Sequence, residues 1–408
     1  MRSFNRIEID NNETIIFSLW MISLFINFGN KVLTGIILSI VLYKIIFKKI
    51  SVNELKKFFE DNKSILFSGI VFCISVLIST IFRSYTKEDI MVLNDFLKYF
   101  SFVIIPFFFI RKKSDINIIS NVIVIFLIGF NLYLLYSYYF LNIARAIEYP
   151  NLYAWTLLAT VPFLFLFYKY NYKIKSCKIV FTFTFAVTFI GLILTGSRAC
   201  FLAFILTLMI ILFLIRKYDY NKNVLRKIVM ILMLIIIIFS PQIMKRTIDT
   251  INYNENYTVE RFNIWHSTFN MINDNFVFGI GLNREQFKNL YDNHYMLDVA
   301  NERHITHPHN VFLYWFVSTG VIGISGFLFF VYNQIKKFNY FLKKSNDEIK
   351  LLAVSGMWFC FTFIISQMFD SLFYFVRMQK IYLVILGILI ASIYILKESR
   401  DSGALPCR

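Results

Sequence analysis

The fold class expected of this chain is an all-α polytopic membrane protein, with about twelve transmembrane helices and one large, partly helical loop on the outward side. Three observations carry that expectation. The composition is 58% hydrophobic and 19% aromatic with a positive mean hydropathy, and the apolar residues recur in runs of membrane-spanning length. Lys and Arg crowd into alternate connections between those runs. All five histidines, by contrast, fall in one polar stretch from Pro241 to Asn310.

Taken in order, the spans run from Thr14 to Phe28, Lys31 to Phe47, Ile65 to Phe82, Val92 to Ile110, Ile116 to Leu141 and Leu152 to Tyr168. They continue from Ile179 to Leu194, Ala199 to Ile215, Leu225 to Ser240, Asn310 to Tyr332, Leu351 to Phe369 and Ile381 to Leu396. The polar first dozen residues lead into no cleavable-signal pattern, so the first run is expected to stay as a helix. Residues 1–240 thus hold helices 1 to 9, residues 241–309 the loop, 310–396 helices 10 to 12, and 397–408 a polar tail.

Cations from Lys48 to Lys63, Arg111 to Lys113, Lys169 to Lys178, Arg216 to Lys227 and Lys336 to Lys350 share one side. The positive-inside rule makes that side cytoplasmic, with both termini, and turns the histidine loop outward. The net charge of +17 is distributed in these short clusters rather than on a soluble face, so membrane lipids are expected partners and nucleic acid is not. The five cysteines form no CxxC pair and none lies in the loop, which argues against a disulfide framework or zinc ribbon.

Within the loop, Thr258 to Asn273 reads as a helix: Phe262, Trp265, Phe269 and Ile272 recur at helical spacing, giving an aromatic face to set against lipid or the bundle. Gly279-Ile280-Gly281 then permits a tight turn. The loop closes on Glu302-Arg303-His304-Ile305-Thr306-His307-Pro308-His309-Asn310, at the mouth of the next apolar run. Gly320 and Gly323 follow, two small residues that suit close approach of that helix to a neighbour.

Some cations lie where orientation needs none: Arg83, Arg145, Arg198 and Arg377 are on the outward turns. In Thr195-Gly196-Ser197-Arg198, Gly196 supplies a turn, Ser197 a cap, and Arg198 falls in the first turn of the next helix. A cation at that positive end is misplaced unless an anion such as phosphate joins it, or unless the side chain snorkels to the interface. Arg261, one turn before Trp265, is a second anion-binding candidate, or else pairs with Glu255 or Glu260. Arg303, Arg145 and Arg377 are supporting candidates. His309 suits a general base, a metal ligand with His304, His307 and Asp298 or Glu302, or a structural interfacial role. The metal reading is disfavoured, because HxxHxH is no recognised zinc spacing and Pro308 interrupts the helix that would align the ligands.

Thr195-Gly196-Ser197-Arg198-Ala199, the segment from Arg261 through Trp265 to Gly279-Ile280-Gly281, and His309-Asn310 with Gly320 and Gly323 together resemble the O-antigen ligase and polymerase family of bacterial envelope glycosyltransferases. The ligase branch is described by His, then Asn, Ser or Gln, nine residues, Gly, two residues, and Gly, Thr or Tyr, and every position is met here. The resemblance implies a bundle of about twelve helices in the inner membrane with a large periplasmic loop. It implies that His309 is the base and that Arg198 and Arg261 hold the diphosphate of an undecaprenyl-linked glycan. The implied acceptor is lipid A core, or a second lipid-linked glycan if the chain is a polymerase, and the implied reaction is inverting and uses neither metal nor other cofactor.

That implied chemistry is self-consistent. A sugar on a lipid diphosphate is already activated; it needs charge stabilisation of the leaving diphosphate, which two arginine forks supply, and deprotonation of an acceptor hydroxyl, which one histidine supplies. A transporter of lipid-linked sugars is the rival from another class, and would be expected to show repeated halves and broken helices. A membrane metallohydrolase is third.

Overall fold

The computed structural model describes residues 2–26, 29–47, 49–82, 86–140, 150–171, 173–217 and 255–401. Among these the regular structure is helical: α1 (Arg2–Ile26), α2 (Asn30–Ile46), α3 (Val52–Asp61), α4 (Lys63–Ile81), α5 (Lys87–Phe100), α6 (Lys113–Phe140), α7 (Pro150–Asn171), α8 (Lys175–Thr195), α9 (Arg198–Lys217), α10 (Glu255–Asp274), α11 (Arg284–Leu290), α12 (Val311–Lys344), α13 (Asp347–Gln367) and α14 (Val376–Asp401). Eight helices are long and apolar enough to cross a bilayer: α4, α5 with its continuation to Phe108, α6, α7, α8, α12, α13 and α14. The apolar parts of α1 and α9, Asn11–Ile26 and Arg198–Leu214, are shorter. The expected span from Leu225 to Ser240 lies outside the described residues. Apart from the run from Val92 to Ile110, the described part of every other expected span coincides largely with a helix.

Three elements depart from the sequence expectation. The run read as one span from Val92 to Ile110 begins at Lys87 and breaks after Phe100 into two 3₁₀ turns, Ser101–Val103 and Ile105–Phe108. Pro106 sits in the second turn, where it has no amide to donate to an α-helical ladder. The Phe108 carbonyl there accepts from Lys44 Nζ at 2.8 Å. A short helix, α3, precedes α4 and was not anticipated; a reciprocal Ser51–Glu54 capping box starts it. At the other end of the chain α14 runs on through Asp401 instead of giving way to a tail at Lys397, with Lys397 Nζ on the Asp61 carboxylate at 2.8 Å.

α14 is the central post. Its residues from Ile381 to Ala391 are buried, and it packs against α13, α5 and α1. α12 lies along α4 and α13, and α13 in turn along α9 and α7. Among the described residues, cations that the charge pattern put on one side meet at one end of this bundle, in pairs such as Lys57 with Glu398 (2.6 Å), Arg111 with Glu54 (2.9 Å) and Lys113 with Glu348. The histidines, the starts of α7, α9 and α12, and the connection between α13 and α14 lie at the opposite end.

The loop joins the bundle through a break in α12. Gly320 adopts φ 63°, ψ −167°, a conformation essentially open to glycine alone, so the helix ladder lapses there. The carbonyls it releases are taken up elsewhere: Ile280 N donates to Val317 O (2.7 Å), Gly281 N to Ser318 O (2.9 Å), and Ser79 Oγ of α4 to Thr319 O (2.6 Å). Val321 N donates back to Phe276 O at 2.8 Å. A Cβ on Gly320 would collide with the Val277 backbone, and one on Gly279 with the backbone from Ser318 to Gly320. The two glycines of the α12 motif therefore do not serve helix approach as expected. Gly320 admits the loop, Gly323 makes room for the Thr319 side chain, and it is Gly326 that lies against Phe72 and Ser75 of α4.

Above the break, Ile264, Met271, Ile272, Ile280, Phe287 and Tyr291 form a small core with Leu313 and Val317. The buried face of α10 accordingly runs through Glu260, Ile264, Ser267, Thr268 and Met271. Of the aromatic face expected of this helix, Trp265 and Ile272 border that core, whereas Phe262 and Phe269 point outward at 61% and 48% exposure.

Gly320→Ala should cost more than about 2 kcal/mol, because a glycine-only conformation and an immovable backbone neighbour both oppose the methyl. Gly323→Ala should cost less, since its methyl meets a side chain that can rotate. Thermal unfolding of the two variants in detergent measures the difference; equal losses would contradict the role given to Gly320.

Candidate active site

Three restraints hold His309. Its backbone is in the left-handed region at φ 50°, a conformation that costs a non-glycine residue about 1–3 kcal/mol and persists only where neighbours enforce it. On one side the Trp265 indole donates to the Pro308 carbonyl at 2.9 Å. On the other, Asn310 caps α12, its Oδ1 accepting from Phe312 N (2.9 Å) and Leu313 N (3.2 Å). The His309 side chain is 31% exposed, so a substrate can reach it.

Behind the imidazole lies Asp370, in the connection between α13 and α14. Its Oδ1 is 3.9 Å from His309 Nδ1 and accepts from Ser371 N at 2.7 Å, while Oδ2 accepts from Asn151 Nδ2 at 2.6 Å. Burial opposes the charge of this carboxyl, yet His309, the Ser371 amide and His307 together hold it below the usual carboxylate range. Asn151 opens α7, and its carbonyl lies 3.8 Å from Cys200 Sγ in the first turn of α9. One relay of short contacts thus links His309 to the helix start that carries Arg198.

A second line of contacts leaves His309 in another direction. The His307 ring lies 4.3 Å from that of His309 and 4.6 Å from that of Tyr374, and the Arg284 guanidinium lies 4.1 Å from the centre of Tyr374. Burial, then the neighbouring His309 and Arg284, push the His307 pKa down to about 3, against the opposing pull of Asp370, so this ring is neutral at ordinary pH.

The residues expected of the site are distributed as follows. Arg198 is the first residue of α9, exposed, behind Ser197, whose Oγ accepts from Cys200 N at 3.4 Å. Arg261 is half-buried on α10, one turn before Trp265. Its neighbour Glu260 is occupied by the Asn301 amide and side chain and by Glu302 N, and among the described residues no ion pair involves Arg261. Arg303 is exposed on the loop. Arg377 donates to Leu24 O at 3.1 Å and to Phe25 O, closing the end of α1, and lies over Tyr153. Arg83 and Arg145 lie outside the described residues.

His304 is turned away. Its backbone amide and Nδ1 both meet the Asp292 carboxylate at 2.8 Å, and its side chain is 74% exposed. A metal site built on His304 with Asp298 or Glu302 is therefore not what the loop assembles. The trio with ligand atoms within 4.8 Å of one another is His307, His309 and Asp370, a two-imidazole, one-carboxylate set of the kind that can hold zinc.

Asp370, Asn151, Tyr374 and Arg284 were not singled out from the sequence. Asp370 did carry a signal: it is the one charged residue between Lys350 and Arg377, at the outward end of an apolar run. The other three belong to the site only through tertiary contacts.

A helical membrane protein whose polar loop sets a strained histidine against a buried carboxylate, near arginines, is the class these features define. A family model described as O-antigen ligase matches residues 183–328, and this is the family to which the chain is similar. The matched segment includes Arg198, Arg261, Arg284, His309, Gly320 and Gly323 and ends before Asp370. The match supports an activity of the O-antigen ligase or polymerase type, that of a glycosyltransferase-like membrane enzyme of lipopolysaccharide assembly. No curated protein matches the chain.

Arg377→Gln removes two charge-assisted bonds to helix carbonyls, each worth about 1.5–3 kcal/mol. It should lower thermal stability in detergent while leaving affinity for a lipid diphosphate unchanged. Weakened diphosphate binding at unchanged stability would return Arg377 to the anion site.

Proposed function

We propose that the protein transfers a glycan from undecaprenyl diphosphate to lipid A core at the periplasmic face of the inner membrane, with inversion at the anomeric carbon and without a metal. The observation that carries this reading is the setting of His309: accessible, fixed by Trp265, Asn310 and its own strained backbone, and backed by the Asp370 carboxylate. His309 takes the proton of the acceptor hydroxyl as that oxygen attacks the anomeric carbon and the bond to the diphosphate breaks. Asp370 stabilises the imidazolium that forms. Arg198 and Arg261 hold the departing diphosphate, whose growing charge their planar forks can meet bidentately.

Broken helices, which a transporter would be expected to show, are present in α5 and α12. The released carbonyls are, however, satisfied by Lys44, Ser79 and the loop backbone. The transferase reading is preferred on that ground.

Reconstitution in proteoliposomes with undecaprenyl-diphosphate glycan, offered lipid A core or a second lipid-linked glycan, tests the reading. Transfer to lipid A core is the expected product; elongation of the lipid-linked glycan alone would make the protein a polymerase, and no product with either acceptor would sink the proposal. His309→Ala should lower transfer by about a hundredfold or more with donor binding intact, whereas His304→Ala should leave it nearly normal.

EDTA should leave transfer unchanged. Loss of transfer restored by zinc would instead assign His307, His309 and Asp370 to a metal and remove His309 as the base.

A further inference from the structure

Arg284 has no role in the chemistry above, yet it is built into place. The Asp89 carboxylate on α5 accepts from Leu282 N (2.7 Å) and Asn283 N (2.9 Å) with Oδ1, and from Thr86 N (2.9 Å) and Thr86 Oγ1 (2.8 Å) with Oδ2. The two residues before Arg284 are thereby tied to a buried carboxylate on another helix, and Asn283 fixes the start of α11 by accepting from Glu285 N at 2.9 Å. The guanidinium lies over Tyr374 at 4.1 Å and near Phe375 at 5.4 Å. Its outer edge is exposed. Among the described residues no carboxylate pairs with it: Asp89 is committed to backbone and Thr86, and Glu285 lies with Lys288 at 3.6 Å.

The position of this cation relative to the base is informative. Arg198 is linked to His309 through Cys200, Asn151 and Asp370, whereas Arg284 is linked to it through Tyr374 and His307. A direct displacement brings two substrates to one base, the leaving group on one side of the reacting carbon and the attacking hydroxyl on the other. A stacked arginine keeps its in-plane N–H groups directed at a ligand and matches phosphate geometry. We propose that Arg284, seated on Tyr374 at the far end of the ring stack from His309, binds a phosphate group of the acceptor; this rests on the transferase reading above.

The test measures acceptor binding directly, without donor, and acceptor and donor KM during transfer. The probes are lipid A core and the same glycolipid after phosphatase treatment, each in phosphatidylcholine and in phosphatidylglycerol nanodiscs. Arg284→Gln should weaken binding of the phosphorylated acceptor and raise its KM by about tenfold, with donor KM unchanged. The dephosphorylated acceptor should bind wild type and variant alike. Arg284→Lys, which keeps the charge and loses the fork, should fall between. Unchanged acceptor binding, a shift in donor KM, or a difference that follows the nanodisc lipid rather than acceptor phosphorylation would each overturn the proposal. Because binding is read without turnover, an inactive wild type that still discriminates the two acceptors would sink the transferase reading and leave the phosphate site standing.

Discussion

The structure depends on one junction, where backbone from Phe276 to Gly281 pairs with the interrupted helix around Gly320. A break in a membrane helix leaves carbonyls that hydrocarbon cannot satisfy. Here loop amides and one serine satisfy them, so the loop and the helix complete each other. Much of the site hangs from this point: α10 precedes it and brings Trp265 to Pro308, α11 follows it and carries Arg284, and His309 and Asn310 lie at the start of α12 a few turns above it.

The polar end of the bundle illustrates how burial and neighbouring groups set protonation. Desolvation, then His309 and Arg284, push the His307 pKa down, while Asp370, despite its burial, is held below the usual carboxylate range by His309 and the Ser371 amide. The two groups flank His309 with opposite character. One face of the base meets a carboxylate able to steady a positive ring, and another meets a neutral ring that stacks.

Much of this was legible in the sequence wherever the cause was local. Apolar length gave the helices, the cation pattern gave the two ends, and Asn310 next to His309 gave the cap that opens α12. Readings that needed long-range information failed. Gly320 looked like a helix-packing residue because its partner, Val277, lies far away in sequence. The aromatic spacing of Phe262 and Phe269 left open whether lipid or the bundle takes that face, and both are exposed on the protein. Nothing near Arg377 in sequence revealed that the end of α1 would come to it.

That last contact bears on how the protein is made. α1 is made long before α14, yet the two pack together, and the carbonyls of Leu24 and Phe25 at the end of α1 accept from Arg377. Until α14 is made, the end of α1 lacks this donor. Synthesis that stops before α14 leaves the N-terminal helix without its lock, so a truncated chain carries a mark of incompleteness at the opposite terminus from the truncation.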